Sequence, residues 1–209
     1  MIPKKDELIK AFEERHGKEL QQKFSEAVVA VCGLGGLGSN IAISLTRAGI
    51  GKLILIDFDK VDITNIHRQQ YKISQIGRYK TDALSENIKE ISPYIELDTH
   101  TVSVDENNAA SLLCEASIIC EAFDKAECKA MLANTVLEKM PDKFLVSGSG
   151  MAGIGCANSI QTRKVTNHFY ICGDEVSDIS DSMGLFSTRV MLCAAHQAHT
   201  VLRILANET

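Results

Sequence analysis

A glycine-rich turn, Gly33-Leu34-Gly35-Gly36-Leu37-Gly38-Ser39, most constrains what this chain can fold into. The apolar run Val28-Val29-Ala30-Val31-Cys32 leads into it, and Asn40-Ile41-Ala42-Ile43-Ser44-Leu45 carries on from it. Buried strand, tight turn and helix in that order are the context of a nucleotide-binding fingerprint. Glycines let the backbone turn sharply and approach phosphates, while the helix start offers unpaired N–H groups to the anion. A second short strand, Lys52-Leu53-Ile54-Leu55-Ile56, ends at Asp57, about 20 residues past the last glycine, where a ribose-binding carboxylate belongs. Gly33, Gly35, Gly36, Gly38 and Asp57 are thus expected to form a nucleotide site. The turn alone leaves the nucleotide open.

The rest of the chain alternates. Leu8, Phe12, His16, Leu20 and Phe24 recur every four residues and predict one N-terminal helix over about residues 4–24. Strands are expected at 27–32, 52–57, 95–102, 117–120 and 144–147, with helices at 37–48, from 74 or 80 to 90, at 106–114 and at 125–139. Pro93 stops the third of these helices, because the residue before a proline disfavours the helical region. From Gly148 the pattern changes to short strands at 159–163 and 167–172, of antiparallel character, and a final apolar helix at 188–205. The expectation is one α/β domain over residues 1–209. It has a Rossmann-like, doubly wound, mainly parallel sheet with an antiparallel C-terminal extension.

Composition narrows the function classes. A net charge of −5 and a pI near 5.7 argue against a nucleic-acid surface. The N-terminus lacks the apolar core of a signal peptide and no stretch is apolar enough to span a bilayer, so a cytoplasmic location is expected. Seven cysteines contain no C-x-x-C pair, so no structural zinc is expected, and their odd number speaks against a disulfide framework. Cys32 and Cys120 read as strand packing, Cys128 and Cys193 as helix packing. Cys156 and Cys172 fall in less regular sequence and are expected to be more exposed.

The segment after Asp57 points to a nucleotide. It reads Asp57-Phe58-Asp59-Lys60-Val61-Asp62-Ile63-Thr64-Asn65-Ile66-His67-Arg68-Gln69-Gln70, followed by Gly77-Arg78-Tyr79-Lys80 and, later, Cys120-Glu121-Ala122-Phe123-Asp124-Lys125. With the G-x-G-G-L-G-S turn, the D-x-D pair, the N-x-x-R-Q motif and the downstream lysine, the chain resembles the ThiF/MoeB family over nearly its whole length. Those ATP-dependent enzymes activate ubiquitin-like sulfur-carrier proteins, and the compact branch without zinc knuckles is the nearest in character. The resemblance implies ATP and Mg²⁺ as cofactors and a carrier with a Gly-Gly tail as partner, with thiamine biosynthesis as the setting. It implies that Arg68 and Lys80 face the phosphates and that Asn65 and Gln69 help bind them. Asp57 would hold the ribose, Asp59 would support the loop or the metal, and Asp124 would hold Mg²⁺. Cations aimed at the phosphates would then be the main catalytic resource, because negative charge gathers there during attack.

Some residues keep two readings. Asp124 also suits the N-cap of the helix that follows. Arg15 either crosses a homodimer interface to the phosphates, as in the family, or is a surface residue of the first helix. The tract Ser147-Gly148-Ser149-Gly150-Met151-Ala152-Gly153-Ile154-Gly155 is both a strand exit that needs glycine and a groove for an extended tail. The segment 165–183 corresponds to a crossover loop in relatives, and no base or cation near Cys172 argues for a reactive thiol. His196 and His199 read as core or interface residues of the closing helix. The other function classes are an NAD(P)-dependent oxidoreductase, a non-catalytic carrier-binding relative, and a dehydratase acting on a modified tRNA adenosine.

Overall fold

The computed structural model describes residues 2–180 and 184–208. Seven strands form one sheet: β1 (Val28–Cys32), β2 (Lys52–Ile56), β3 (Glu96–His100), β4 (Ile118–Glu121), β5 (Phe144–Gly148), β6 (Gln161–Lys164) and β7 (Phe169–Gly173). Their order is β3-β2-β1-β4-β5-β7-β6. Neighbours run parallel except β6 and β7, the expected antiparallel end pair. The helices are α1 (Lys5–His16), α2 (Lys18–Glu26), α3 (Gly36–Ala48), α4 (Lys80–Ile91), α5 (Ala109–Leu112), α6 (Ala126–Lys139) and α7 (Ser187–Ala206).

Strand alternation sorts the core into two layers. Val29, Val31, Leu53 and Leu55 face α2, α3, α4 and α7, through Phe24, Ile41, Leu45, Leu84, Ile88, Val190 and Val201. Ala30, Cys32, Ile54 and Ile56 face α5 and α6, through Ala109, Leu132 and Val136. Both faces of the parallel sheet are covered, so its strands read as continuous apolar runs. The strand order reverses between β1 and β4. In such a sheet the crevice for a ligand opens at the carboxyl ends of the strands on either side of that reversal.

Two helices and the placement of several residues differ from expectation. The single helix over 4–24 is two helices, because Gly17, at φ +84°, breaks it between His16 and Lys18. Of the N-terminal stripe only Phe24 is buried; Leu8, Phe12, His16 and Leu20 are half-exposed. The helix at 106–114 shrinks to the single turn Ala109–Leu112. Asp105 captures the N–H groups of Asn107 and Asn108, and Asn108 Oδ1 accepts the Asp105 N–H, so side chains displace the first turn. Cys172 is fully buried on β7, where desolvation pushes its thiol pKa up, while Cys156 is exposed as expected. His196 is half-buried against Thr162 Oγ1 and His199 is exposed, so neither is a core residue. Residues 181–183 of the crossover segment lie outside the described residues. No described helix is long and apolar enough to cross a membrane.

Candidate active site

The carboxyl ends of β1, β2, β4 and β5 surround a cleft of about 560 Å³, within the range of small-molecule sites. One wall is the glycine turn. Gly33 turns at φ +88°, and a Cβ there would meet the Ala122 carbonyl oxygen at 2.9 Å. Gly38 packs α3 against β1 so closely that a Cβ would lie 1.8 Å from the Gly33 oxygen. Gly35 and Gly36 line the cleft. The first turn of α3 presents the N–H groups of Gly36, Leu37 and Gly38, which have no intrahelical acceptor, and its dipole favours an anion there.

Asp57, at the end of β2, is nearly buried. Its Oδ2 accepts the Leu34 N–H at 2.6 Å and its Oδ1 accepts the Asp59 N–H at 2.7 Å. The carboxylate therefore braces the glycine turn as well as facing the cleft. Tyr71 donates its hydroxyl to the Leu34 oxygen at 2.7 Å from the other side. Burial first, and then the charges of Asp57 and Asp59, push that hydroxyl's pKa well up and keep it a donor.

Lys80 begins α4 with its side chain buried. Its ammonium lies 2.7 Å from Asp59 Oδ2 and 3.6 Å from Asp57 Oδ2. The ammonium expected at the phosphates is paired with the two carboxylates at the β2 end, and Lys80 also lines the cleft. Lys80 holds that acidic pair in place beside the turn.

Arg68 and Gln69 follow a 3-10 turn, Ile63–Asn65, whose start Asp62 caps through the Thr64 N–H. Arg68 spends one nitrogen on the Thr64 carbonyl at 3.0 Å, while its buried Nε has no partner among the described residues. Burial lowers its pKa and Asp124 pulls it back up; guanidinium keeps its proton in either case. Gln69 is nearly buried and its Oε1 is also without a partner. Asn65 lines the same wall. These two polar atoms, without a partner among the described residues, lie beside the N–H groups that start α3, a polar setting that fits an anionic ligand.

Asp124 sits on the turn after β4, exposed, at the cleft edge and within the field of Arg68. It does not cap α6: the N-cap position is Lys125, with no side-chain cap. Among the described residues no group of three or more His, Cys, Asp or Glu side chains could hold a metal. A lone carboxylate suits Mg²⁺, which retains water and takes oxygen ligands from substrate phosphates. Arg15 is exposed on α1 and does not line the cleft of its own chain.

Another wall of the cleft is formed by Gly148–Ala152, at and beyond the end of β5, and by Glu175–Ile179, after β7. The residues that shape this wall were not singled out from the sequence: Glu121, Lys129, Asp174 and Arg189. Their signal was a charge inside an apolar run, at Glu121 after Ile118-Ile119-Cys120 and at Arg189 before Val190-Met191-Leu192. Buried charges of that kind require partners.

Comparison with known proteins agrees with this geometry. Residues 8–209 match the ThiF family. The adenylyltransferase and sulfurtransferase MOCS3 of Caenorhabditis briggsae is 33% identical over 133 residues, 63% of this chain and 32% of the relative. Ubiquitin-like modifier-activating enzyme 5 of Caenorhabditis elegans is 41% identical over 83 residues, 40% of this chain and 20% of that protein. The chain spans a third or less of the length of these curated relatives. Among solved structures, the E. coli tRNA N6-threonylcarbamoyladenosine dehydratase TcdA in complex with ATP superposes with a TM-score of 0.87 at 20% identity. That match covers all of this chain and 98% of the other and shows a shared fold. Fold, cleft and sequence match agree: the chain belongs to the ThiF family.

Proposed function

We propose that this chain is an ATP-dependent adenylyltransferase that activates the C-terminal carboxylate of a ubiquitin-like, ThiS-like sulfur carrier in the cytoplasm, in thiamine biosynthesis. One observation carries the reading: the free N–H groups of α3, the uncommitted edge of Arg68 and the Asp124 carboxylate meet in one cleft that faces a glycine tract. The carrier carboxylate attacks the α-phosphorus of ATP, the bond to the bridging oxygen of the β-phosphate breaks, and acyl-adenylate and pyrophosphate form. Asp57 accepts hydrogen bonds from the ribose, with Lys80 and Asp59 fixing it. The α3 N-terminus, Arg68, Asn65 and Gln69 hold the phosphates. Asp124 would hold Mg²⁺, which would supply charge neutralisation at the phosphates.

Curated relatives described as adenylyltransferases support the reading, as does a site that has kept Asp57, Arg68, Lys80 and Asp124 together. The acidic chain disfavours a tRNA substrate. In the test, purified protein is given Mg-ATP, labelled pyrophosphate and a small carrier ending in Gly-Gly. We expect carrier-dependent exchange of label into ATP and no stoichiometric zinc on metal analysis. Calorimetry that detects NAD binding and no ATP binding would sink the reading.

Homodimerisation belongs to the same proposal, since Arg15 reaches phosphates only across an interface. The half-exposed Leu8, Phe12 and Leu20 of α1 and α2 supply apolar surface for it. Mixing Arg15→Ala with Asp124→Ala subunits is expected to restore part of the exchange activity, because half of each hybrid carries an intact site. No recovery, with subunit mixing confirmed by mass, would return Arg15 to the surface.

A further inference from the structure

The glycine tract stays backbone-paired with the exit of β7: the Ser149 N–H donates to the Cys172 carbonyl at 2.8 Å, and the Asp174 and Glu175 N–H groups donate to the Gly150 and Ser149 carbonyls at 2.9 and 3.0 Å. Between the end of β5 at Gly148 and the 3-10 turn at Ala157–Ser159, the chain runs without helix or strand. Two carboxylate–cation pairs, Glu121–Lys129 and Asp174–Arg189, add a fastening at each end.

At the first end, Glu121 closes β4 with no exposed surface. Its Oε1 accepts the Phe123 N–H at 2.7 Å, Lys129 Nζ lies 3.0 Å from both its oxygens, and Ser147 donates its hydroxyl to Oε2. Lys129, in the first turn of α6, also donates to the Gly148 carbonyl at 2.8 Å. One ammonium thus joins the turn that carries Asp124 to the start of the glycine tract. At the far end Arg189, nearly buried at the start of α7, donates to the Gly155 and Cys156 carbonyls at 2.9 and 2.8 Å. It also reaches Ser159 Oγ at 3.0 Å and Asp174 Oδ2 at 2.5 Å. The other oxygen of Asp174 collects the Val176 and Ser177 N–H groups and the Ser177 hydroxyl, and that hydroxyl accepts the Ala152 N–H at 3.1 Å.

Burying two ion pairs costs desolvation that an apolar pair of the same size would avoid. What charge adds is geometry. Each cation holds carbonyls of the tract, and each carboxylate holds N–H groups of a cleft turn, so four segments are set at fixed separations. Arg189 does this with a planar fork serving four acceptors, which a lysine lacks the donors to match. We propose that Lys129 and Arg189 are positioning residues that hold the two ends of the tract Gly148–Gly155, so that its cleft-lining part, Gly148–Ala152, is a fixed track along which an extended acyl tail meets the α-phosphate. The proposal rests on the adenylation reading for its chemistry but not for its geometry.

Lys129→Met alone leaves Glu121 an unpaired buried charge and threatens the fold. The test therefore pairs Glu121→Gln with Lys129→Met, and adds Lys129→Arg and Arg189→Lys. For the paired variant and Arg189→Lys we expect Mg-ATP affinity within about threefold of wild type. Their exchange kcat, measured with a carrier ending in Gly-Gly, should fall about 100-fold, the scale of a 1 Å misplacement. Amide hydrogen exchange over 148–156 should accelerate about tenfold as the track opens locally. Lys129→Arg, which still pairs with Glu121, should recover both. Unchanged amide exchange, or faster amide exchange with kcat intact, overturns the proposal. Amide exchange and Mg-ATP binding need no carrier. If the wild type binds Mg-ATP yet exchanges pyrophosphate with no carrier, the adenylation reading fails, while the mobility of the tract still decides whether these cations hold it.

Discussion

Arg68→Ala is expected to fold normally and to lose about 100- to 1,000-fold in the rate of pyrophosphate exchange, the usual cost of removing one oriented electrostatic donor. The fold should survive because little is left stranded. Arg68 gives one hydrogen bond to the Thr64 carbonyl and one contact to His67, and Asp124, the carboxylate it faces, is exposed. The rate should suffer because Arg68 lines the cleft beside Gly36, where charge builds on the phosphate oxygens in the proposed reaction. Asp124→Ala should likewise depress kcat more than Mg-ATP affinity, since its effect grows as charge develops. Asp57→Ala should act differently. A ribose contact is similar in ground and transition states, so its loss appears as weaker binding with kcat less changed. The Leu34 N–H would also lose its acceptor, so the glycine turn should loosen and thermal stability should fall in that variant alone. Steady-state exchange, calorimetry with Mg-ATP and a melting scan separate the three. Near-normal exchange in folded Arg68→Ala would remove Arg68 from the site.

The elements around the nucleotide were legible because each carries a local signal. The apolar runs of β1 and β2 are buried on both faces, the glycines mark the turn, and Asp57 follows at the distance a βαβ unit dictates. Elements without such a signal were misread. The four-residue spacing from Leu8 to Phe24 passes through Gly17, and a lone glycine in a helical pattern does not announce whether it breaks the helix. The turn at Asp105 looked helical because the capture of N–H groups by Asp105 and Asn108 is invisible to a periodicity count. Of the cleft-lining residues, Asp57, Asp59, Asn65, Arg68, Gln69, Lys80 and Asp124 were named from the sequence, and one partnership among them was not. Lys80 and Asp59 were both named, yet their ion pair depends on α4 starting beside the β2 exit, a fact of packing. The clamps at Lys129 and Arg189 lay further out of reach, since each joins segments that only the sheet order brings together.

Gly38→Ala is expected to damage both nucleotide binding and stability, although it adds a single methyl group. The new Cβ would lie 1.8 Å from the Gly33 carbonyl oxygen and 2.9 Å from its carbon. Both are backbone atoms, so no rotamer change relieves the clash, and α3 must lift from the end of β1. That movement carries the free N–H groups of the first turn away from the cleft and stretches the Leu34–Asp57 hydrogen bond. Overpacking of this kind costs about 1–3 kcal/mol, and at about 2–4 °C per kcal/mol for a chain of this size the melting temperature should drop by roughly 2–12 °C. Mg-ATP affinity should fall about 100-fold or more, since a displacement near 1 Å is enough to misplace the anion site. Gly35→Ala is the control. Its φ of −77° lies outside the left-handed region, and its Cβ would meet only Gln69 Nε2, at 3.7 Å. That variant should keep its melting temperature and lose affinity only through the close approach of phosphate to the backbone. If Gly38→Ala melted and bound Mg-ATP like the wild type, the close seating of α3 on β1 would not be what builds the site.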